Sequence, residues 1–204
     1  MLPPLIQNLI SHFKTLPDIG PKSAERLVFY LLQKDKSKIK EFAKAIEQTV
    51  DNLAFCPVCG NFTQNQQTLA QLCSICLNPK RDQTTVCVIA TVQDLEAIER
   101  TAEYKGVYHI LGGLIDQIKG IKPENLNITA LLNRLQVKSP QIQEVILALD
   151  PTIEGESTLL YLIRRLKDYN IIISRLSRGL PMGANLNYAD EITLTEALQN
   201  RAQI

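Results

Sequence analysis

A chain of 204 residues with 45% hydrophobic and 21% charged side chains has the proportions of a globular protein of one large domain, or of two small ones with an attachment. No stretch approaches the roughly 18 uninterrupted apolar residues of a membrane span, so a soluble protein is expected. A net charge of +1 excludes a chain that is basic throughout, and any nucleic-acid contact must rest on local charge.

The N-terminal "MLPPLIQNLISHFK" is apolar but short, without the basic leader and small-residue cleavage site of a secretory signal. The expected location is therefore the cytoplasm, where thiols stay reduced and clustered cysteines favour metal over disulfide. Three helices follow from apolar spacing: Leu5, Leu9, Ile10 and Phe13 on the first, Ala24, Leu27, Tyr30 and Leu31 on the second, and Ile39, Phe42, Ala43, Ile46, Val50 and Leu53 on the third. Between the first two, "LPDIGPKS" reads as a tight helical hairpin. Pro17 should end the first helix, Gly20 can take backbone angles closed to other residues, and Pro21 suits the first turn of the next helix.

The hairpin is a candidate phosphate reader. Amides around Gly20 open a helix and point outward with the positive end of its dipole behind them, and Lys22 and Arg26, four apart, share a face beside them. Such a grip would be indifferent to base sequence and sensitive to salt. From Lys22 to Lys44 the chain also carries Lys34, Lys36, Lys38 and Lys40 against Glu25, Asp35 and Glu41, which reads as an anion-binding patch or as a solvated helix face.

Cys56, Cys59, Cys73 and Cys76 form two Cys-x-x-Cys pairs. Two such turns facing each other make the tetrahedral sulfur cage that zinc prefers, and four thiolates leave no open position, so one structural Zn²⁺ is expected. An iron–sulfur cluster or redox-active pairs are the other readings of that spacing. Cys87, between Val86 and Val88, reads as a small buried hydrophobe.

Beyond the cysteines, strands and helices alternate: "TTVCVIA", the helix "DLEAIERTAEY" with Leu95, Ile98 and Ala102 inward, "VYHILGG", the helix "ITALLNRLQ", "EVILALD", the helix "STLLYLIRRLKDY" and "NIIISRL". This predicts an α/β protein with a mainly parallel sheet covered on both faces. Gly112, Gly113 and the acidic turn "DPTIEGE" fall where strands end and open α/β sheets place their sites. Asp150, Glu154 and Glu156 could hold a divalent cation, or could form a charged turn that caps the next helix. His12 and His109 read as surface or packed residues, and from Gly179 onward the pattern is loop, short strand and final helix.

With hairpin, four cysteines and α/β unit in this order, the chain resembles the RecR family of bacterial recombination mediators. The likeness is carried by "LPDIGPKSAERL", "CPVCG", "CSICLNPKRDQ", "EAIERTAEYKGVYHILGG", "ALDPTIEGE" and "SRGLPMGANLNYADEITLTEAL", and spans nearly the whole chain. The resemblance implies a helix-hairpin-helix region over 1–53, a C4 zinc finger over 54–82, a Toprim domain over 83–178 and an assembly segment over 179–204. It implies a non-enzymatic scaffold that forms dimers or ring-like tetramers around single-stranded, duplex or junction DNA. With RecO, and in many bacteria RecF, such proteins help load RecA. Gly20, Lys22 and Arg26 fall on the family's DNA-contacting hairpin, the four cysteines on its zinc ligands, and Asp150, Glu154 and Glu156 on an acidic turn linked to partner contact.

Two positions depart from the family pattern. Ala90 stands where a glutamate commonly ends the first Toprim strand, and Thr152 stands at the second place of the Toprim Asp-x-Asp. Both losses speak against the rival reading, a magnesium-dependent nuclease or primase-like enzyme using Asp150 and Glu154. A second rival is a pure protein-interaction module whose hairpin is only structural.

Overall fold

The computed structural model describes residues 2–64, 71–137, 140–177, 179–180, 183 and 185–201. Residues 65–70 of the polar linker between the cysteine pairs, and parts of the "SRGLPMGA" segment, lie outside the described residues. Packing divides the chain into two units, Met1–Leu53 and Ala54–Ile204.

The first unit holds α1 (Pro4–Phe13), α2 (Pro21–Leu32) and α3 (Lys36–Asn52). Proline opens both α1 and α2, where its missing N–H costs nothing. Helix α1 stops at Phe13, a turn before Pro17, and two short turn bonds, Thr15 N to His12 O and Leu16 N to Phe13 O, carry the chain onward. The side chains α1 withdraws from solvent are Ile6, Ile10 and Phe13, whereas Leu5 is 86% exposed. Apolar residues run so far round α1 that periodicity alone selects the wrong edge of the stripe. On α2, Ala24 and Val28 are fully buried and Tyr30 is exposed. Asp35 caps α3 by accepting from Ser37 N at 2.8 Å, but of its expected inward face only Ile39 is half-buried, and Phe42, Ile46 and Val50 are exposed.

In the second unit, β1 (Leu53–Phe55) pairs with β2 (Phe62–Gln64), and α4 (Ser74–Leu77) carries the second cysteine pair. The strands β3 (Asp82–Ile89), β4 (Gly106–Ile110), β5 (Glu144–Leu147) and β6 (Ile172–Arg175) form a wholly parallel sheet in the order β4-β3-β5-β6. They are linked by α5 (Val92–Glu99), α6 (Ile128–Leu135) and α7 (Ile153–Leu166).

Alternation along β3 divides the core. Val86 and Val88 join Val107, Leu131, Leu159, Leu162 and Leu166 under α6 and α7, while Cys87 and Ile89 join Leu95, Tyr108 and Ile110 under α5. Each fully buried leucine here contributes about 1.5–3 kcal/mol. Helix α5 is shorter than expected: it ends at Glu99, and Ala102 is exposed with φ +57. Helix α7 starts earlier than expected, because Thr152 caps it four residues after the chain leaves Ala148. The C-terminal segment shows a 3₁₀ turn at Leu186–Tyr188 and α8 (Glu191–Gln199), with no strand among the described residues.

Candidate functional site

The hairpin turn places its cations as the spacing requires. Ala24 is the first α2 residue whose amide closes on Gly20 O (2.9 Å), Pro21 has no N–H, and Gly20 offers no side-chain cap. The amides of Lys22 and Ser23 are therefore presented at an open helix start. Lys22 and Arg26 lie exposed beside it, about 6 Å apart along the axis, with no ion pair among the described residues. Gly20 itself differs from expectation. It sits at φ −74 and ψ 171, an ordinary extended geometry, and the positive φ of the turn falls on Asp18 at 61. Open space around the missing Cβ of Gly20 makes its use one of access: a ligand can approach the backbone closely there.

The four cysteines converge. Cys56 and Cys59 sit on the turn after β1, where Gly60 N closes on Cys56 O (2.8 Å) and Gly60 takes φ +78. Cys73 precedes α4 and Cys76 lies within it. All four Sγ atoms fall within 4.8 Å of one another, and Cys56, Cys59 and Cys73 are at most 2% exposed. A tetrahedral cage with metal–sulfur bonds of about 2.3 Å separates its sulfurs by about 3.8 Å. The 3.5 Å between Cys59 and Cys73 Sγ suits that cage and is far too long for a disulfide. Their mutual hydrogen bonds divide the thiols: the Cys59–Cys73 bond raises Cys59 and lowers Cys73, so Cys73 ionises at the expense of Cys59. A cation is what would let all four serve as thiolates, and the group could hold one metal ion. Ile110 N donates to Cys59 O at 2.8 Å, which ties the first knuckle to the end of β4.

A polar clamp that sequence reasoning missed secures the other knuckle's exit. Arg81 is bound bidentately to Glu99, and its Nη1 also donates to Tyr104 O (3.1 Å) and Gly106 O (3.3 Å). Tyr108 O–H completes the set on Glu99 Oε1 at 2.6 Å. Arg81 holds the Glu99 carboxyl below its ordinary range, against the opposing effect of burial. The signal was present as an arginine just past the last cysteine, but nothing in the spacing names its partner.

The acidic turn lies at the carboxyl end of β5. Because β4 and β5 flank β3 on opposite sides, the strand order reverses between β3 and β5, the place where open α/β sheets bind ligands. Ala90, 4% exposed, directly follows β3 there. Thr152 Oγ1 accepts from Gly155 N at 3.1 Å as the cap of α7, and Glu154 and Glu156 occupy the helix's first turn. Asp150 is exposed. Among the described residues, the cysteines form the one cluster of three or more His, Cys, Asp or Glu ligands near enough to share an ion, so the three acidic side chains do not converge. Gly155, missed as a functional position, is required by shape: a Cβ there would lie 1.9 Å from Asp150 O. A cavity of about 670 Å³ opens beside the turn, lined by Asp94, Asp150 and Arg175 and by Asp190 and Glu196 of the C-terminal segment. Arg175 Nη2 meets Glu196 Oε2 at 3.4 Å across it.

His109 is packed, as expected. It is 1% exposed, its Nε2 lies 2.9 Å from Asn127 O, and burial pushes the imidazole down to about 4, so it is neutral at pH 7.

Comparison with known proteins agrees with this geometry. The sheet and its turn match the family model for the Toprim domain over residues 84–177, so the chain carries a Toprim domain. The models described as RecR, helix-hairpin-helix, and RecR, C-terminal, match residues 6–50 and 179–202. Among curated relatives, the Recombination protein RecR of Bifidobacterium animalis subsp. lactis (strain AD011) is 45% identical over 199 residues, covering 98% of this chain and 96% of its own. That of Acidothermus cellulolyticus (strain ATCC 43068 / DSM 8971 / 11B) is 44% identical over 200 residues, covering 98% and 97%. The chain belongs to the RecR family.

Proposed function

We propose that this chain is a DNA-binding scaffold of recombinational repair with no turnover of its own. It would act with RecO, and with RecF where present, to help load RecA onto single-stranded DNA. The observation that carries the reading is the open start of α2 flanked by the exposed Lys22 and Arg26, in a chain 45% identical along nearly its full length to a recombination protein. In this reading residues 1–53 grip DNA, 54–82 form a finger held by one structural Zn²⁺ on Cys56, Cys59, Cys73 and Cys76, 83–178 form the Toprim domain, and 179–204 serve assembly. Zinc supplies folding energy to a segment too short and polar to build a core.

Assembly into a dimer or ring-like tetramer is favoured by the apolar stripe of Phe42, Ile46 and Val50, which α3 leaves exposed. Several hairpins lining one ring would add their phosphate contacts and raise affinity through effective concentration, which reconciles DNA binding with a net charge of +1. Asp150, Glu154 and Glu156 serve partner contact in this reading. Ala90 at the strand end and Thr152 engaged as a helix cap support binding over metal-dependent cleavage. The setting is the cytoplasm, and no helix among the described residues is long and apolar enough to cross a membrane.

The test is fluorescence anisotropy of the zinc-loaded full chain on single-stranded, duplex and junction DNA across a salt series, beside a Lys22→Ala/Arg26→Ala variant. Losing two phosphate contacts per hairpin should flatten the log–log salt slope by about 1.8 on duplex and about 1.4 on single strands for each hairpin that engages the DNA. Equal binding by both proteins would remove the hairpin as the grip. Magnesium-dependent nicking abolished by Asp150→Asn would replace the scaffold by an enzyme.

A further inference from the structure

After β4 the chain folds back as a turn, closed by paired bonds between Asp116 and Ile121 (3.0 and 2.7 Å), and stands beside α7. Between the turn and the helix lies a cavity of about 580 Å³. Its walls are mainly apolar, formed by Ile115, Ile121 and Pro123 from the turn and Leu160 and Tyr161 from α7, with the uncharged polar side chains of Gln117 and Ser157 between them. Two cations, Lys122 and Arg164, also line it, and among the described residues no carboxylate does. Both are exposed and have no ion pair among the described residues, whereas the neighbouring Lys119 is matched by Asp116 at 3.4 Å.

The hollow is built in advance of any occupant. Thr158 Oγ1 accepts from Ile115 N at 2.8 Å and so fastens the turn to α7. The Asp116 carboxylate holds the amides of Ile118 (2.9 Å) and Lys119 (3.0 Å), which fixes the turn's shape. A preorganised pocket spares an incoming group the cost of ordering it. Leu160 remains 54% exposed at its wall, and Ile118 at the turn's tip is 96% exposed.

The chemistry of this hollow selects its partner. Single-stranded nucleic acid asks for aromatic platforms and a track of cations. Here the apolar part of the lining is aliphatic apart from a half-buried Tyr161, and two cations flank a depression. An apolar side chain would fill the depression, and carboxylates beside it would meet Lys122 and Arg164. We infer that this groove is a docking site for a peptide segment of a partner protein carrying an apolar anchor flanked by acidic residues. It shares no residue with the hairpin or the acidic turn, and stands whether or not those bind as proposed.

The experiment probes the full-length, metal-loaded protein on an array of hexapeptides. Each pairs two or three aspartates or glutamates with leucine, isoleucine or phenylalanine, and each is accompanied by amide-substituted, lysine-substituted and alanine-substituted counterparts. Retained sequences are then labelled with fluorescein and titrated against wild type, Lys122→Glu, Arg164→Glu and Leu160→Asp. Acidic–apolar peptides should be retained over all three kinds of counterpart, and each charge reversal should weaken binding about tenfold, the loss of roughly one charge-assisted contact. Added salt should weaken it further. Lys122→Gln and Arg164→Gln repeat the measurement should a reversal lower thermal stability. The proposal fails if acidic–apolar peptides are not enriched, or if their binding ignores these variants. It fails equally if the variants lose binding to a single-stranded oligonucleotide while peptides are unaffected, or if they reduce the mass of the assembly, since the groove would then serve nucleic acid or a second copy.

Discussion

Replacing Gly155 by alanine sets two effects of opposite sign against each other. In a helix interior alanine is favoured over glycine by about 1 kcal/mol, and Gly155 is the third residue of α7, so propensity predicts a small gain. Shape predicts the reverse. The added Cβ would lie 1.9 Å from Asp150 O, where a carbon and a carbonyl oxygen in contact keep about 3.3 Å, so the strand exit and the helix must part by more than an ångström. That movement works against the bond from Gly155 N to Thr152 Oγ1 (3.1 Å) and the one from Glu156 N to Thr152 O (2.9 Å). Loss of a cap costs about 1 kcal/mol and forced overpacking about 1–3 more. Against the propensity gain, the net should be about 1–3 kcal/mol of destabilisation, a fall in melting temperature of about 2–12 °C for a unit of this size. Circular dichroism melts of wild type and Gly155→Ala decide it. An unchanged or raised melting temperature would refute the claim that the acidic turn is held by close backbone approach.

Other outcomes follow from the remaining sites. Glu99→Gln should cost about 1.5–3 kcal/mol in urea unfolding at pH 7, because it strips a charge from the Arg81 clamp. The Glu99 carboxyl is lowered from 4.5, so its stabilisation is complete above that value and is lost as pH falls through the lower, folded one; wild type and variant should converge in acid, and parallel curves would count against the clamp. In thiol titration at pH 8 the metal-loaded chain should show no fast cysteine. A chelator should release four, while Cys87, buried and pushed up to about 12, waits for denaturant. A fast Cys87 in the loaded protein would contradict its packing under α5. Phe42→Asp with Ile46→Asp on α3 should lower the mass seen by light scattering while leaving helical content intact, and an unchanged mass would take α3 out of any assembly.

What the sequence made legible was set by how local each cause is. The cysteine cage could be read because two tight turns fix ligand spacing within a few residues, and α2 because Pro21 and the Lys22/Arg26 spacing are properties of one helix. The parallel sheet followed from β-branched runs separated by helical ones. The misreadings share a different origin, since each depended on a neighbour that spacing does not identify. Leu5 and Leu9 belong to an apolar stripe wide enough to pack either edge, and packing against α2 selects Ile6 in their place beside the expected Ile10 and Phe13. Gly20 looked like a conformational device, yet the left-handed residue is Asp18, a type that tolerates such angles through its short polar side chain. Gly155 looked incidental in "EGE", and its necessity comes from a carbonyl five residues earlier.

The same distinction separates α3 from the sheet. Ile39, Phe42, Ile46 and Val50 have the period of an inward face, and the period is real, but within the chain only Ile39 is even half-covered. A helix retains an apolar stripe for whatever it packs against, and the sequence cannot say whether that surface belongs to the same molecule. In β3 the question does not arise, because alternate residues are claimed by two helical layers of its own chain. Uncovered α3 and the cation-rimmed hollow beside α7 are thus two forms of one signal. The first is apolar along a helix and suits a like surface; the second pairs an aliphatic depression with unmatched positive charge and suits a partner of opposite sign.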